Sequence, residues 1–526
     1  MTLELMTIRE ASELASSYLK KDITTSNISY LIQYGRVKRH EKNGATLVNK
    51  RDIIKYYKSF HGAREIDWKE KLGHDLNWEL SFDKYKESET TKHVHRLHPY
   101  KGKFIPQLVE YFLDDHIDSF KEDVFFRRGD IILDPFCGSG TTLVQANELG
   151  MHSIGIDISA FNTLISNVKV GKYDFNRLYE ATKNIIKELK YHNKHSNTIK
   201  FENELFEELA KFNNKYFPSP EYKYKVRNKE INPNIYGKEK EKLFLSIYNN
   251  LIKKYELELL QEKQDTFLNK WFLRPVREEI DIVFNLIKDI KYKDIKKVLA
   301  IILSRTIRSC RATTHSDLAT LKEPVIATYY CTKHGKICKP LFTIQNWFER
   351  YCNDTIKRLN EFDRIRTNTQ QICITGDSRN IDIVECLNRK NPVLYRLAGE
   401  KGIKGIFSSP PYVGLIDYHE QHAYAYDLFG YERNDELEIG PLFKGQGKEA
   451  RDSYVKGISS VLNNCKQFLT DDFDVFLVAN DKYNLYPKIA DNSGMEIVKQ
   501  YKRPVLNRTE KDKGAYSEII FHMKGR

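Results

Sequence analysis

Between Asp130 and Asp157 the chain reads as strand, glycine loop, helix, strand and acid, an order that few folds accommodate. Asp130 to Leu133 is a short apolar run, suited to a buried strand. Asp134-Pro135-Phe136-Cys137-Gly138-Ser139-Gly140-Thr141 follows, and its glycines let the backbone turn tightly and approach a ligand closely. From Thr141 the spacing of Leu143, Ala146 and Leu149 predicts a helix, which Gly150 ends. Ser153 to Ile156 is a second apolar strand, and Asp157 closes it. This is a βαβ unit of an α/β sheet. Its acid lies about 20 residues past the loop, where it suits an adenosine ribose.

The loop chemistry narrows the ligand. The loop carries acidic Asp134 and no lysine, so a pyrophosphate is disfavoured. S-adenosylmethionine, with its cationic amino group and sulfonium, fits better. The residues expected to hold it are Asp134, Pro135, Phe136, Gly138, Gly140 and Thr141 in the loop and Asp157 at the second strand end. Cys137 reads as packing.

A second motif, Ser409-Pro410-Pro411-Tyr412, ends the apolar run Gly405 to Ser408. Two prolines supply no N–H and fix φ, so a strand must stop there with its last carbonyls unpaired. A small hydroxyl, free carbonyls and an aromatic ring within four residues suit a planar base with an amino group. Ser409 and the Pro410 carbonyl would accept amino hydrogens, and Tyr412 would stack on a flipped base. Methylation at cytosine C5 needs a Pro-Cys nucleophile, and the chain has no such pair.

With both motifs the chain resembles the amino-methylating DNA methyltransferases, over about residues 90–170 and 370–524. Asp134 to Thr141 looks like their cofactor loop and Ser409 to Tyr412 like their catalytic tetrapeptide. His98-Pro-Tyr100-Lys-Gly-Lys103 is similar to the segment that holds the methionine part, which implicates Tyr100 and Lys103. Gly376-Asp377 resembles the position that bonds the adenine amino group. Tyr418 to His422 falls where the family places a helix lining the pockets. Ser at the first tetrapeptide position is more typical of members acting on cytosine N4, and Asp or Asn of those acting on adenine N6. The resemblance implies a bacterial or archaeal restriction–modification setting, a cytoplasmic enzyme, and a cognate restriction endonuclease as partner.

A length of 526 residues predicts two or three domains. No stretch approaches the 18 apolar residues of a membrane span, and Met1 to Met6 has neither a basic nor an apolar leader region. Eight scattered cysteines suggest reduced thiols. The net charge of +13 is concentrated: residues 171–370 hold 39 Lys+Arg against 26 Asp+Glu, and the remainder is neutral. Such an excess suits a phosphate backbone.

Four further regions complete the organisation. Residues 1–60 predict a helix capped by Thr7 and Glu10, a second capped within Thr25 to Asn27 and stopped by Gly35, a hairpin about Asn43-Gly44, and a third helix from Asn49. This resembles the winged helix–turn–helix units of excisionase and MerR-type proteins, which usually bind DNA; a protein-docking module is the other reading. Residues 61–90 read as a charged linker. The core is expected at 91–170 and 371–526, with a mainly helical target-recognition insertion at 171–370. Within it, Arg305, Arg308 and Arg311 share a helical face that suits phosphates or plain solvent. Cys331-x2-His334-x3-Cys338 supplies three metal ligands without an obvious fourth, with Cys310, His315 and Cys352 as candidates. Ordinary side chains and no metal are expected there.

The expectation is therefore a Rossmann-like α/β methyltransferase core that methylates cytosine N4 in double-stranded DNA. Adenine N6 is the alternative acceptor. A DNA-binding regulator that has lost catalysis, or an RNA methyltransferase, would be readings of another class.

Overall fold

The computed structural model describes residues 4–19, 22–42, 44–82, 84–194, 196–318, 321–505 and 515–526. The chain forms two compact units. One comprises Met1–Gly73, Leu189–Glu279 and Ser309–Ile344, and the other His74–Glu188, Ile280–Arg308 and Gln345–Arg526. The division falls inside the expected 171–370 insertion, not at its edges.

The second unit is built on a seven-stranded sheet. Its strands are β1 (Ile131–Asp134), β2 (His152–Asp157), β3 (Gln371–Thr375), β4 (Ile403–Ser408), β5 (Leu469–Ala479), β6 (Met495–Pro504) and β7 (Ser517–Gly525). Their spatial order is β6-β7-β5-β4-β1-β2-β3. The first five are mutually parallel, and β7 runs antiparallel between β5 and β6. Both faces are covered, so apolar residues follow one another without polar alternation. Leu133, Ile406 and Leu477 pack on one face, and Ile132, Phe407 and Phe476 on the other.

β1 is the switch point. The chain winds outward through β2 and β3 on one side, and β4 enters on the other. Parallel pairing of Leu133 with Ile406 sets the ends of β1 and β4 side by side. Strand ends at such a point leave a crevice where ligands bind. The two sequence motifs therefore meet although about 270 residues separate them in the chain.

In the first unit, strand Leu5–Thr7, helices Ile8–Leu19 and Thr25–Gln33, strands His40–Lys42 and Ala45–Asn49, and helix Lys50–Leu72 follow in order. Thr7 and Glu10 cap the first helix reciprocally, through Thr7 N to Glu10 Oε2 at 2.7 Å and Glu10 N to Thr7 Oγ1 at 3.2 Å. The second helix is capped by Thr24 with Asn27, one residue earlier than expected. Asn43 of the predicted turn lies outside the described residues, but the flanking strands pair as a hairpin. The helix from Lys50 runs on to Leu72, well into the expected linker. Among the described residues no helix is long and apolar enough to cross a membrane.

Two expectations for 171–370 change. Arg305 is buried, with its guanidinium 2.6 Å from Asp354 and 4.1 Å over the Tyr351 ring. Arg311 is buried and donates to the Leu318 carbonyl at 2.8 Å. These two arginines brace the fold and do not form an open phosphate-facing row. The missing fourth ligand of the Cys-His-Cys motif is also present, because His315 joins Cys331, His334 and Cys338 in one cluster.

Candidate active site

A cavity opens at the strand ends of the second unit. Tyr100, Lys103, Pro135, Phe136, Gly138, Thr141, Asp157, Asp377, Ser409 and Pro411 all line it, ten of the fourteen residues singled out from sequence. Asp134, Gly140, Pro410 and Tyr412 stand behind its wall.

The glycine loop is held by its surroundings. Gly138 has φ +50° and Gly140 φ +74°, both left-handed. A Cβ on Gly138 would meet the Tyr100 ring at 3.0–3.1 Å, and one on Gly140 would meet Ser166 at 2.9 Å. The Gly138 N–H donates to Asp157 Oδ2 at 2.7 Å, and its carbonyl accepts from Ser166 Oγ at 3.0 Å. Beneath the loop, fully buried Lys169 donates its ammonium to the Ser139 carbonyl.

Asp157 sits in the wall with Oδ1 accepting from Ser159 N at 2.8 Å and Asn162 Nδ2 at 3.1 Å. Burial pushes its carboxyl up to about 6, against these hydrogen bonds. Asp134 is raised to about 6 for the same reason. Its Oδ1 accepts from Ser408 Oγ at 2.6 Å and Phe136 N at 3.2 Å, so it ties the end of β4 to the loop after β1. Asp134 thereby braces the two strand ends beside the cavity.

Asp377 lies in the wall, but its carboxylate is gripped by Arg379, with Nε 2.9 Å from both oxygens. Lys103 donates to the His95 carbonyl at 2.6 Å, and burial lowers its ammonium to about 8. The Tyr100 ring stacks between Tyr418 and His422, with centroids 6.1 and 5.9 Å away.

The tetrapeptide spans from cavity to core. Ser409 and Pro411 face the cavity. The Tyr412 hydroxyl donates to Glu518 Oε1 at 2.8 Å, while Glu518 Oε2 lies 3.5 Å from Arg503 Nε.

Sequence reasoning missed Ser139, Ser159, Asn162, Ser378 and Glu438, all in the wall. Ser139 Oγ and Asn162 Oδ1 are buried without a hydrogen-bond partner among the described residues. Such orphans in a cavity wall call for a polar ligand. Glu438 holds the helix that starts at Tyr418, accepting from His419 N at 2.8 Å and Tyr418 N at 3.2 Å. No local pattern marks Glu438, since its partners lie about 20 residues away.

Comparison with known proteins agrees with this geometry. A family model described as DNA methylase matches residues 11–167. The Type II methyltransferase M.MjaII of Methanocaldococcus jannaschii is 49% identical over 526 residues, spanning 99% of this chain and 97% of that protein. M.BsoBI of Geobacillus stearothermophilus is 36% identical over 94 residues, 18% of this chain and 17% of that protein. M2.DpnII of Streptococcus pneumoniae is 39% identical over 98 residues, 18% of this chain and 35% of that protein. With a relative of this identity aligned end to end, the chain belongs to the Type II DNA methyltransferases, amino-methylating enzymes that depend on S-adenosylmethionine.

Proposed function

We propose that this enzyme methylates the exocyclic N4 of cytosine in double-stranded DNA. The observation that carries the reading is that Ser409 and Pro411 share a cavity wall with Gly138 and Asp157. A methyl donor held by the loop then lies beside an amino group held by the tetrapeptide.

S-adenosylmethionine fits the cavity on the strength of its unpaired wall atoms, Ser139 Oγ and Asn162 Oδ1, and of the acidic Asp157. Asp157 would accept from the ribose hydroxyls, with Asn162 beside it. Asp377 would accept from the adenine amino group once Arg379 yields one carboxylate oxygen. Pro135, Phe136 and Thr141 would line the cofactor, and Tyr100 and Lys103 the methionine end. When bound, the cofactor supplies an electrophilic methyl on a sulfonium. The chain has to orient the acceptor in line and exclude water. Ser409 and the Pro410 carbonyl would accept the amino hydrogens and localise the nitrogen lone pair. Tyr412, anchored through Glu518, would offer its ring to the flipped base.

Cytosine N4 is preferred to adenine N6 because Ser409 opens the tetrapeptide. Residues 1–60, with two capped helices and a hairpin, are proposed as a winged helix–turn–helix contact to DNA. The basic 171–370 region, inserted between the core segments 91–170 and 371–526, is proposed to recognise the target. A cognate restriction endonuclease completes the proposed setting. The test is mass spectrometry of nucleosides from DNA treated with purified enzyme and cofactor. N4-methylcytosine is the expected product. N6-methyladenine alone would overturn the acceptor and leave the site standing.

A further inference from the structure

A second chemical centre lies in the first unit. Strands Tyr329–Cys331 and Lys336–Cys338 pair antiparallel, with Tyr329 opposite Cys338 and Cys331 opposite Lys336. The turn between them closes through Gly335 N to the Cys331 carbonyl at 2.7 Å, and Gly335 has φ +64°. Alternation along the hairpin sets Tyr329, Cys331 and Cys338 on one face, where they are buried together. His334 comes from the turn and His315 from the loop upstream. The ligand atoms of His315, Cys331, His334 and Cys338 all lie within 4.8 Å of one another.

We infer that these four residues bind a structural zinc ion. Two thiolates and two imidazoles are a recurrent tetrahedral zinc set, and four protein ligands leave no open position for catalysis. The distances are close to those of a bound site. Cys338 Sγ stands 3.5 Å from His334 Nδ1, against about 3.6 Å for a sulfur–nitrogen edge built from ordinary zinc bond lengths. The His315 and His334 rings are 4.3 Å apart. Outer bonds are in place as well. The Tyr329 hydroxyl meets His315 Nδ1 at 2.7 Å, which orients the ring and leaves Nε2 for the metal. Both cysteines are buried, and neither is in a disulfide. Two sulfurs and two ring nitrogens thus converge from the hairpin and the loop upstream of it. The ion would staple the 315 loop to the hairpin.

The full-length protein, purified without chelator and desalted, should carry one zinc per chain by elemental mass spectrometry. Cys331→Ala and His315→Ala should each cut that content at least tenfold, whereas Cys352→Ala, at a buried cysteine outside the cluster, should retain it. Should the cluster variants fail to fold, cobalt exchanged into the wild-type protein gives the second readout. The expected spectrum combines tetrahedral d–d bands with a thiolate-to-cobalt charge-transfer band for two sulfurs. Wild-type protein free of zinc, unable to take cobalt and with Cys331 and Cys338 reactive to thiol reagent or joined in a disulfide, would overturn the inference. So would full zinc content in Cys331→Ala.

Discussion

The two sides of the cavity are held in opposite ways. The glycine loop is bonded throughout its length: Asp157 takes the Gly138 N–H, Ser166 bonds the Gly138 carbonyl and Lys169 the Ser139 carbonyl. The tetrapeptide is tied to the core at its two ends. Ser408 bonds Asp134 just before it, and Tyr412 bonds Glu518 at its close. The loop is thus preformed, and its residues should govern cofactor affinity. The tetrapeptide brings Ser409 and Pro411 to the cavity on anchored ends, so its residues should govern turnover. Mutations can break this contrast or sharpen it.

The largest effect is expected at Gly138. A valine there would hold a β-branched residue at φ +50° and press its Cβ on the Tyr100 ring. Left-handed strain alone costs about 1–3 kcal/mol. Gly138→Val should weaken S-adenosylmethionine on the order of 100-fold by calorimetry. Ordinary affinity in a folded variant would show that the loop is not preformed for the ligand.

Tyr412→Ala should do the reverse. Loss of an aromatic partner for a base is worth about 1–3 kcal/mol. Turnover should fall by roughly 5- to 150-fold, while the cofactor dissociation constant stays nearly unchanged, because Tyr412 does not line the cavity. A variant that loses both together would erase the contrast between the two sides.

pH probes the loop side through Asp157, and Asp157→Asn separates its effect from that of Asp134, which is raised to a similar value. Asp157 ionises at about 6 in the folded protein. Its charged form is the better acceptor for ribose hydroxyls, so cofactor affinity should fall as pH drops through 6. At pH 5 the loss should be about tenfold relative to pH 7 or above, and Asp157→Asn should flatten the profile. Folding stability should move in the opposite direction. A raised carboxyl pKa favours the protonated folded state, so its contribution is full below about 4 and is lost as pH rises through about 6. Affinity and stability that shifted in the same direction would assign the effect to unfolding.

The parts of this site that lie within a few residues of each other were legible in the sequence. Asp134 to Thr141 and Ser409 to Tyr412 each announce a turn at a strand end, and the parallel sheet follows from the βαβ pattern. The errors arose where a partner comes from far along the chain. No local pattern shows that Asp134 bonds Ser408, 274 residues on. Arg305 and Arg311 read as open to phosphate until Asp354 and the Leu318 carbonyl are found bonded to them. Asp377 shows a different limit. Arg379 is only two residues away, yet spacing does not reveal that the guanidinium folds back onto the carboxylate. For the Cys-His-Cys motif the sequence left Cys310, His315 and Cys352 as candidate fourth ligands, and hairpin pairing is what brings its sulfurs to His315.

The smallest effect tests the side of the reaction that the cavity does not hold. Residues 171–370 carry the whole net positive charge of the chain, so their lysines should neutralise phosphates one by one. Lys183 and Lys187 are exposed on helix Phe175–Lys194. Each phosphate contact contributes about 0.9 to the slope of log affinity against log salt concentration. Lys183→Gln with Lys187→Gln should therefore lower that slope by up to ~1.8. The affinity loss should be the same for cognate and unrelated DNA, because phosphate contacts carry no sequence information. Fluorescence anisotropy over a salt series measures both quantities. An unchanged slope would move the DNA contact off this helix, and a loss confined to the cognate sequence would make these lysines base readers. Either outcome would leave the cofactor cavity and the tetrapeptide as argued, since neither lysine lines them.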